Sequence, residues 1–300
     1  MSHIPVLLNE AIDFLKPEPG KFFIDGTVDG GGHAREILKK IGNEGKLLGV
    51  DWDESMIENL KKSEEFGIAV KKGNLKPVCG NYADLPEILG RENLPKADGL
   101  LLDLGFSSEQ LESSGRGFSF KKDEPLLMTY DPSATPVKDI LREIDENALA
   151  DIIFEFSGER FSRKIAAAIK TRGKKKPIET SGELNEIIKT ALPKNYERGR
   201  IEPATRTFQA LRIYANHELE NIEKVIKNLP EILKPGGRMV FISFHSLEDR
   251  MVKKSFKRMA GQGKIKILTP KPVRPTREEA GDNPRSRSAM LRVAVLKTND

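Results

Sequence analysis

Lys21–His33 reads KFFIDGTVDGGGH, a short apolar run that ends in an acid and passes into a glycine-rich turn. An apolar run bounded in this way reads as a strand covered on both faces. A helix-like stretch follows from about His33 to Ile41, and the unit then repeats. Lys46–Asp51 (KLLGVD) is a second run ending in an acid, and Glu54 to about Phe66 has helical spacing. Leu75–Cys79 is a weaker third strand, where Pro77 marks irregular pairing. Asp84–Leu89 is a short helix, and Ala97–Asp103 (ADGLLLD) is a strong fourth strand. Strands alternating with helices at this spacing imply an α/β fold with a mostly parallel sheet and right-handed crossovers.

The pattern then changes. From Gly105 to about Arg200 no strand stands out, while Thr135–Ile144, Asn147–Phe156, Glu159–Thr171 and Ser181–Leu192 each space their apolar residues as helices do. Pro132, Pro136, Pro177 and Pro193 punctuate them. This is the pattern of an all-helical insertion, with core segments expected over 1–108 and 203–300 and the insertion over 109–202. A long helix or pair of helices resumes near Pro203 and runs to about Leu233, where Lys234–Arg238 (KPGGR) stops it. Met239–Ser243 is a fifth strand, Ser246–Met259 a helix with Ser246 as its cap, and Lys264–Leu268 and Met290–Leu296 are closing strands.

Composition narrows the function classes. The 300 residues are 38% apolar and 32% charged, which excludes a disordered or fibrous chain. No apolar run approaches the roughly 18 residues that cross a bilayer, and MSHIPVLLNE lacks the features of a secretory signal. Cys79 is the only cysteine, so there is no disulfide; a reducing, cytoplasmic setting is expected, with Cys79 a small core residue. The net charge of +5 is segregated: residues 160–206 carry +8 and residues 250–292 carry +10, leaving −13 on the remainder. Two basic segments on an acidic body suit a polyanionic partner better than a membrane surface, for which aromatic anchors are missing.

The turn after the first strand is a candidate ligand loop. Asp51 ends the second strand 20 residues after Gly31, where an acid can accept both hydroxyls of a ribose. Asp103 ends the fourth strand at the same sheet edge. An adenosine-bearing cofactor fits, either a nicotinamide dinucleotide or S-adenosylmethionine. The glycines do not match GxGxxG, and Asp25 and Asp29 would repel a pyrophosphate while attracting an ammonium, which favours S-adenosylmethionine. The four histidines, His3, His33, His217 and His245, show no metal-ligand spacing, and no metal is expected.

The chain resembles the RsmH (MraW) family of 16S ribosomal RNA methyltransferases over nearly its whole length. The resemblance rests on His3–Leu8 (HIPVLL), Gly30–His33 (GGGH), Asp103–Ser108 (DLGFSS), Arg116–Phe120 (RGFSF), Pro203–Arg212 (PATRTFQALR), Ser243–Arg250 (SFHSLEDR) and Asn283–Ser288 (NPRSRS). It implies a class I S-adenosylmethionine-dependent methyltransferase, Rossmann-like, with a seven-stranded, mostly parallel sheet. It also implies methylation of the N4 amine of a cytidine in the decoding region, with 16S rRNA of the small ribosomal subunit as partner. Cofactor contacts carried over are Gly31, Gly32, His33, Asp51, Tyr82, Asp103 and Gln110. Asp103, Ser107 and His245 are candidate catalytic acceptors, with His245 alternatively a buried residue holding the Glu248–Arg250 turn. Arg116, Arg206, Arg212, Arg285 and Arg287 are candidates for RNA contacts or for structural ion pairs, and the helical insertion for RNA recognition. The sequence departs from the family at Asp29, where glycine is usual, and at Ala34, Leu127, Thr129 and Glu202. These departures motivate a second reading, an RNA-binding assembly factor that keeps the fold with weakened catalysis.

Overall fold

The computed structural model describes residues 5–105, 115–196 and 201–298. The chain forms two compact units, Met1–Ser107 with Leu219–Asp300, and Ser108–Glu218. The first unit begins with α1 (Leu8–Leu15), β1 (Phe22–Asp25), α2 (Gly32–Ile41), β2 (Lys46–Asp51), α3 (Glu54–Lys62), α4 (Glu64–Lys72), β3 (Leu75–Cys79), a 3-10 turn (Tyr82–Asp84), α5 (Leu85–Arg91) and β4 (Ala97–Asp103). The second holds α6 (Val137–Glu143), α7 (Glu146–Ser157), α8 (Ser162–Lys175), α9 (Ser181–Ala191) and α10 (Thr205–Ala215). The chain then continues through α11 (Glu218–Lys227), α12 (Leu229–Ile232), β5 (Leu233–Ser243), α13 (Ser246–Gly261), β6 (Ile265–Ile267), α14 (Arg277–Asp282), a 3-10 turn (Pro284–Ser288) and β7 (Met290–Leu296).

The seven strands form one sheet in the order β3-β2-β1-β4-β5-β7-β6. β1 through β5 pair in parallel, and β7 runs antiparallel to both β5 and β6. This is the class I methyltransferase sheet. Its central strands are mostly apolar because successive side chains serve two cores. Phe22, Ile24, Leu100, Leu102, Met239 and Phe241 pack on one face with α5, α11, α12 and α13. Phe23, Leu101, Val240 and Ile242 pack on the other with α1 to α4.

Local chemistry corrects several expectations. The helix expected over Glu54–Phe66 breaks at Ser63, which ends α3 and caps α4 by accepting from Phe66 N at 3.1 Å. Lys234–Gly237 do not merely stop a helix: they bulge within β5, where Leu233 pairs with Ala97 and Arg238 with Gly99. Cys79 is exposed at the end of β3 rather than in the core. The cap of α13 is His245, not Ser246. The N-terminal helix α1 carries too short an amphipathic pattern to stand out in the sequence. In the helical unit the four expected helices are present as α6 to α9, and α10 joins them, burying Phe208 and Leu211 and packing on α7 and α6. The helical unit therefore runs to Glu218 rather than to 202.

One ion pair ties the antiparallel strand to α13. Arg292 on β7 is 5% exposed and makes a bidentate pair with Asp249, at 2.6 and 3.0 Å. Removing one partner of a buried pair leaves an uncompensated charge in a low dielectric. Asp249→Ala should lower the unfolding free energy by about 3–5 kcal/mol, read from urea denaturation, whereas a change within 0.5 kcal/mol would show the pair to be energetically idle.

Candidate active site

A parallel sheet puts the carboxyl ends of its strands on one edge, and the crevice opens where the strand order reverses. Here that point lies beside β1, whose neighbours β2 and β4 lead the chain in opposite directions. β1, β2 and β4 each end in an aspartate there: Asp25, Asp51 and Asp103.

Asp25 is 1% exposed, and burial raises its carboxyl to about 8, partly countered by the Thr27 N–H that it accepts at 3.3 Å. Asp51 is raised by burial to about 7, although both oxygens take backbone donors, Asp29 N at 3.0 Å and Asp53 N at 2.9 Å. Asp103 is likewise raised by burial to about 7, with Asp29 and Glu248 adding repulsion and the Gly105 N–H at 3.1 Å opposing it. Its own N–H donates to Thr27 Oγ1 at 2.7 Å, which ties the end of β4 to the turn after β1. Acids that are withdrawn from water and repel one another favour a cation beside them.

The glycine turn closes the other side. Gly31 has φ +77° and caps α2 without a side-chain hydrogen bond. A Cβ on Gly31 would lie 2.4 Å from Phe66, and one on Gly32 would lie 2.9 Å from Pro5. These glycines are therefore required by packing against the protein and, at Gly31, by backbone conformation, beyond the ligand approach expected from the sequence. Asp29, where the family has glycine, sits at φ +42°, a region aspartate tolerates better than most residues. The first N–H groups of α2 point out of an uncapped helix start, which suits an anionic group.

His33 is 5% exposed. Its Nε2 lies 3.1 Å from the Val6 carbonyl, and its Nδ1 lies 3.8 Å from Asp103 Oδ2. Tyr82 stacks on Trp52 with ring centroids 5.8 Å apart. Gly31, Gly32, His33, Asp51, Tyr82 and Asp103 thus gather at the carboxyl edge. Trp52 was missed in the sequence reading; its signal is an aromatic placed directly after the strand-end acid. Gln110 and Ser107 lie outside the described residues.

His245 begins α13. Its Nδ1 accepts from Glu248 N at 3.3 Å, while Glu248 Oε2 accepts from His245 N at 3.3 Å and Phe244 N at 2.7 Å. This is a reciprocal capping box. Nε2 is 2.9 Å from Glu248 Oε1 but without the alignment of a hydrogen bond. The Glu248 carboxylate, 2% exposed, is a third acid acting on Asp103, beside Asp25 and Asp29, and was not singled out from the sequence.

The candidate RNA-contacting arginines have internal partners. Arg116 Nη1 donates to Tyr130 O at 3.1 Å. Arg206 Nη1 lies 3.2 Å from Tyr196 OH and 3.6 Å from the fully buried Glu159, to which Tyr196 also bonds. Arg212 pairs bidentately with Glu218 at 2.8 and 3.0 Å. Arg287 Nε donates to Ala280 O at 3.0 Å, and Arg285 lies in the same 3-10 turn.

Two outcomes follow from these environments. Between the ordinary carboxylate value of 3.8 and the raised values of about 7 to 8, the folded protein holds more protons on Asp25, Asp51 and Asp103 than the unfolded chain does. Their contribution therefore falls as pH rises through that window. Thermal melts of the ligand-free protein should decline from pH 5 to pH 8, and Asp25→Asn should flatten the decline; an unchanged slope in that variant would contradict the assignment. Arg206→Ala should cost up to about 3 kcal/mol by removing the cation beside the buried Glu159 carboxylate, which keeps Tyr196 OH and Phe161 N as donors, measured by denaturant unfolding of the whole chain.

The model of the MraW methylase family matches residues 1–297. Proteins named Ribosomal RNA small subunit methyltransferase H are similar throughout. That of Halothermothrix orenii is 41% identical over 315 residues, covering 100% of both chains. That of Thermotoga neapolitana is 44% identical over 299 residues, covering 98% of this chain and 96% of its own. That of Syntrophus aciditrophicus is 43% identical over 309 residues, covering 97% and 96%. Matches that span both chains end to end leave no part of the sheet or the helical unit outside the likeness, and the chain belongs to the MraW methylase family.

Proposed function

We propose that this chain transfers a methyl group from S-adenosylmethionine to the N4 amine of a cytidine in the decoding region of 16S rRNA, with the small ribosomal subunit as its partner in the cytoplasm. The coarser activity, a ribosomal RNA methyltransferase, follows from the family; the nucleoside and position rest on the resemblance. The observation that carries the chemistry is the convergence of Asp25, Asp51 and Asp103 at one sheet edge with their carboxyls raised by burial.

That set of residues fits the cofactor. Its amino-acid moiety carries an ammonium, which buried carboxylates attract, and a carboxylate, which the uncapped start of α2 can receive. Asp51, held by two backbone N–H donors, presents its remaining lone pairs to ribose hydroxyls. The Trp52–Tyr82 stack offers an aromatic surface to adenine. S-adenosylmethionine supplies an electrophilic methyl on a sulfonium sulfur.

The cytosine amine is a poor nucleophile because its lone pair is delocalised into the ring. What the protein can contribute is orientation: an acceptor that holds an N–H while the nitrogen pyramidalises. Asp103 is the acceptor at this edge, fixed by Gly105 N and Thr27. Its carboxyl, raised to about 7, can also take up the proton that the nitrogen sheds after methyl transfer. Ser107 is proposed as a second acceptor and Gln110 as a further cofactor contact, both from the resemblance. The target base must leave its stack to reach a pocket at the sheet edge. His245, by its capping geometry, supports the loop after β5 and holds Glu248 near Asp103.

Tritium transfer from labelled cofactor to small subunits lacking the modification, followed by nucleoside mapping, tests the reading. N4-methylated cytidine in the decoding region is expected, and Asp103→Ala should lower turnover by about 100-fold or more. Binding of subunits without transfer would establish the assembly-factor reading instead.

A further inference from the structure

Helix α13 (Ser246–Gly261) divides its residues by charge as well as by hydropathy. Val252, Ser255, Phe256 and Met259 are buried, and the three apolar ones belong to the core on one face of the sheet. Arg250, Lys253, Lys254 and Lys257 are exposed. Both sets follow the spacing i, i+3, i+4, i+7, so each forms one stripe, and the two stripes lie on opposite sides of the helix. The charges on the flanks between them are matched by the fold. Asp249 holds Arg292 on β7 at 2.6 and 3.0 Å, and Arg258 meets Glu223 on α11 at 2.9 Å. The helix's other acid, Glu248, is buried in the capping box. Among the described residues, no carboxylate pairs with any of the four exposed cations.

This arrangement works against the helix. Like charges three and four residues apart repel, and Arg250 stands in that relation to Lys253 and Lys254, as Lys257 does to both of them. The helix dipole favours a cation only in the last turn, where Arg258 stands. A face that keeps four repelling cations and no acid is complementary to a row of phosphates. The stripe runs about 10 Å along the axis, seven residues at 1.5 Å each. It holds no aromatic side chain, so it has neither a platform for stacking bases nor an anchor for a membrane interface. We propose that the outward face of α13 docks the phosphate backbone of small-subunit rRNA, with Arg250, Lys253, Lys254 and Lys257 positioning the strand without reading its sequence. The inference rests on the reading of rRNA as the substrate. It puts backbone contacts on cations that the fold leaves unmatched, whereas Arg206 and Arg212 are tied to Glu159 and Glu218.

The test combines Arg250→Gln, Lys253→Gln, Lys254→Gln and Lys257→Gln in the full chain and measures binding to small subunits lacking the modification across a fourfold rise in salt. With four phosphate contacts removed, the slope of log affinity on log salt should be shallower by about 3, so wild type should lose about 50-fold more affinity than the variant over that rise. The KM for subunits should increase with the Kd, while kcat and the Kd for S-adenosylmethionine stay within about twofold. The melting temperature should not fall, because glutamine suits a helix about as well as lysine and the repulsion is relieved. A control removes the same charge elsewhere on the sheet unit, at the exposed Lys40→Gln, Lys46→Gln, Lys71→Gln and Lys72→Gln, and its slope should stay within about 1 of wild type. Lys253→Arg, Lys254→Arg and Lys257→Arg together should keep the wild-type slope. The proposal is overturned if the α13 variant keeps the wild-type slope while wild type methylates subunits. It is also overturned if the control loses as much, since net charge rather than a docking face would then be acting. Wild-type binding to phosphatidylserine vesicles that the α13 variant loses, with rRNA affinity unchanged, would assign the face to a membrane instead. A wild-type chain that neither binds nor methylates small subunits would overturn the rRNA reading itself, and this inference with it.

Discussion

Desolvation of carboxylates at the carboxyl edge of a parallel sheet is the constraint on which the site depends. An aspartate at a strand end is ordinary when water reaches it. Asp25, Asp51 and Asp103 are instead withdrawn from water, with Asp51 and Asp103 acting on Asp25 and Asp29 acting on all three, so each is harder to ionise. Parallel topology makes this unavoidable once three adjacent strands end in acids, because all three ends face one way. The supporting bonds are mostly backbone N–H donors, from Thr27, Asp29, Asp53 and Gly105, which offset part of the cost without neutralising the charge. A lysine or arginine in their place would have satisfied the acids permanently and closed the site to a cationic ligand.

The sheet was legible because its evidence is local. The central strands β1, β2 and β4 are apolar on both faces and end in an acid, and the helices between them repeat at the helical period. The strand-end acids and the glycine turn were legible for the same reason. What the sequence concealed depends on partners far along the chain. Ser63 can cap a helix or ride within one, and only the fold of α4 onto β3 decides. His245 and Ser246 are both candidate caps; the reciprocal bond with Glu248 selects His245. Cys79 sits on a strand whose outer face is open, so a residue type usually buried is exposed. The end of the helical unit was misplaced because α10 has the same periodicity whether it packs on helices or on the sheet.

The basic segments show a related limit. Counting charges found the two segments but not how far they are consumed internally. In the first segment Arg172 and Lys176 engage Glu183. Lys170 spends its ammonium on the carbonyls of Leu141, Arg142 and Ile144 at the end of α6, where a cation is favoured by the helix dipole. Arginines inside the family motifs are the most committed, since Arg206 and Arg212 are tied to Glu159 and Glu218. A cation that already has a buried carboxylate partner contributes little to long-range attraction of a polyanion. Net charge therefore supports the expectation of an anionic partner while overstating how many cations face it.

The same electrostatics couples stability to function. With the donor site occupied by a cation, the buried carboxylates gain the partner that the fold withholds, and their ionised forms become favourable. Without it, ionisation opposes folding near neutral pH. The ligand-free chain is thus held below the stability its core could supply, by the groups proposed to hold the donor. A substitution that neutralises one of them stabilises the protein and weakens the site in the same step. The direction of that exchange separates a carboxylate kept for binding from one kept for structure: Asp249, satisfied within the fold by Arg292, lies on the structural side, and Asp103, with three acids acting on it, is proposed for the other.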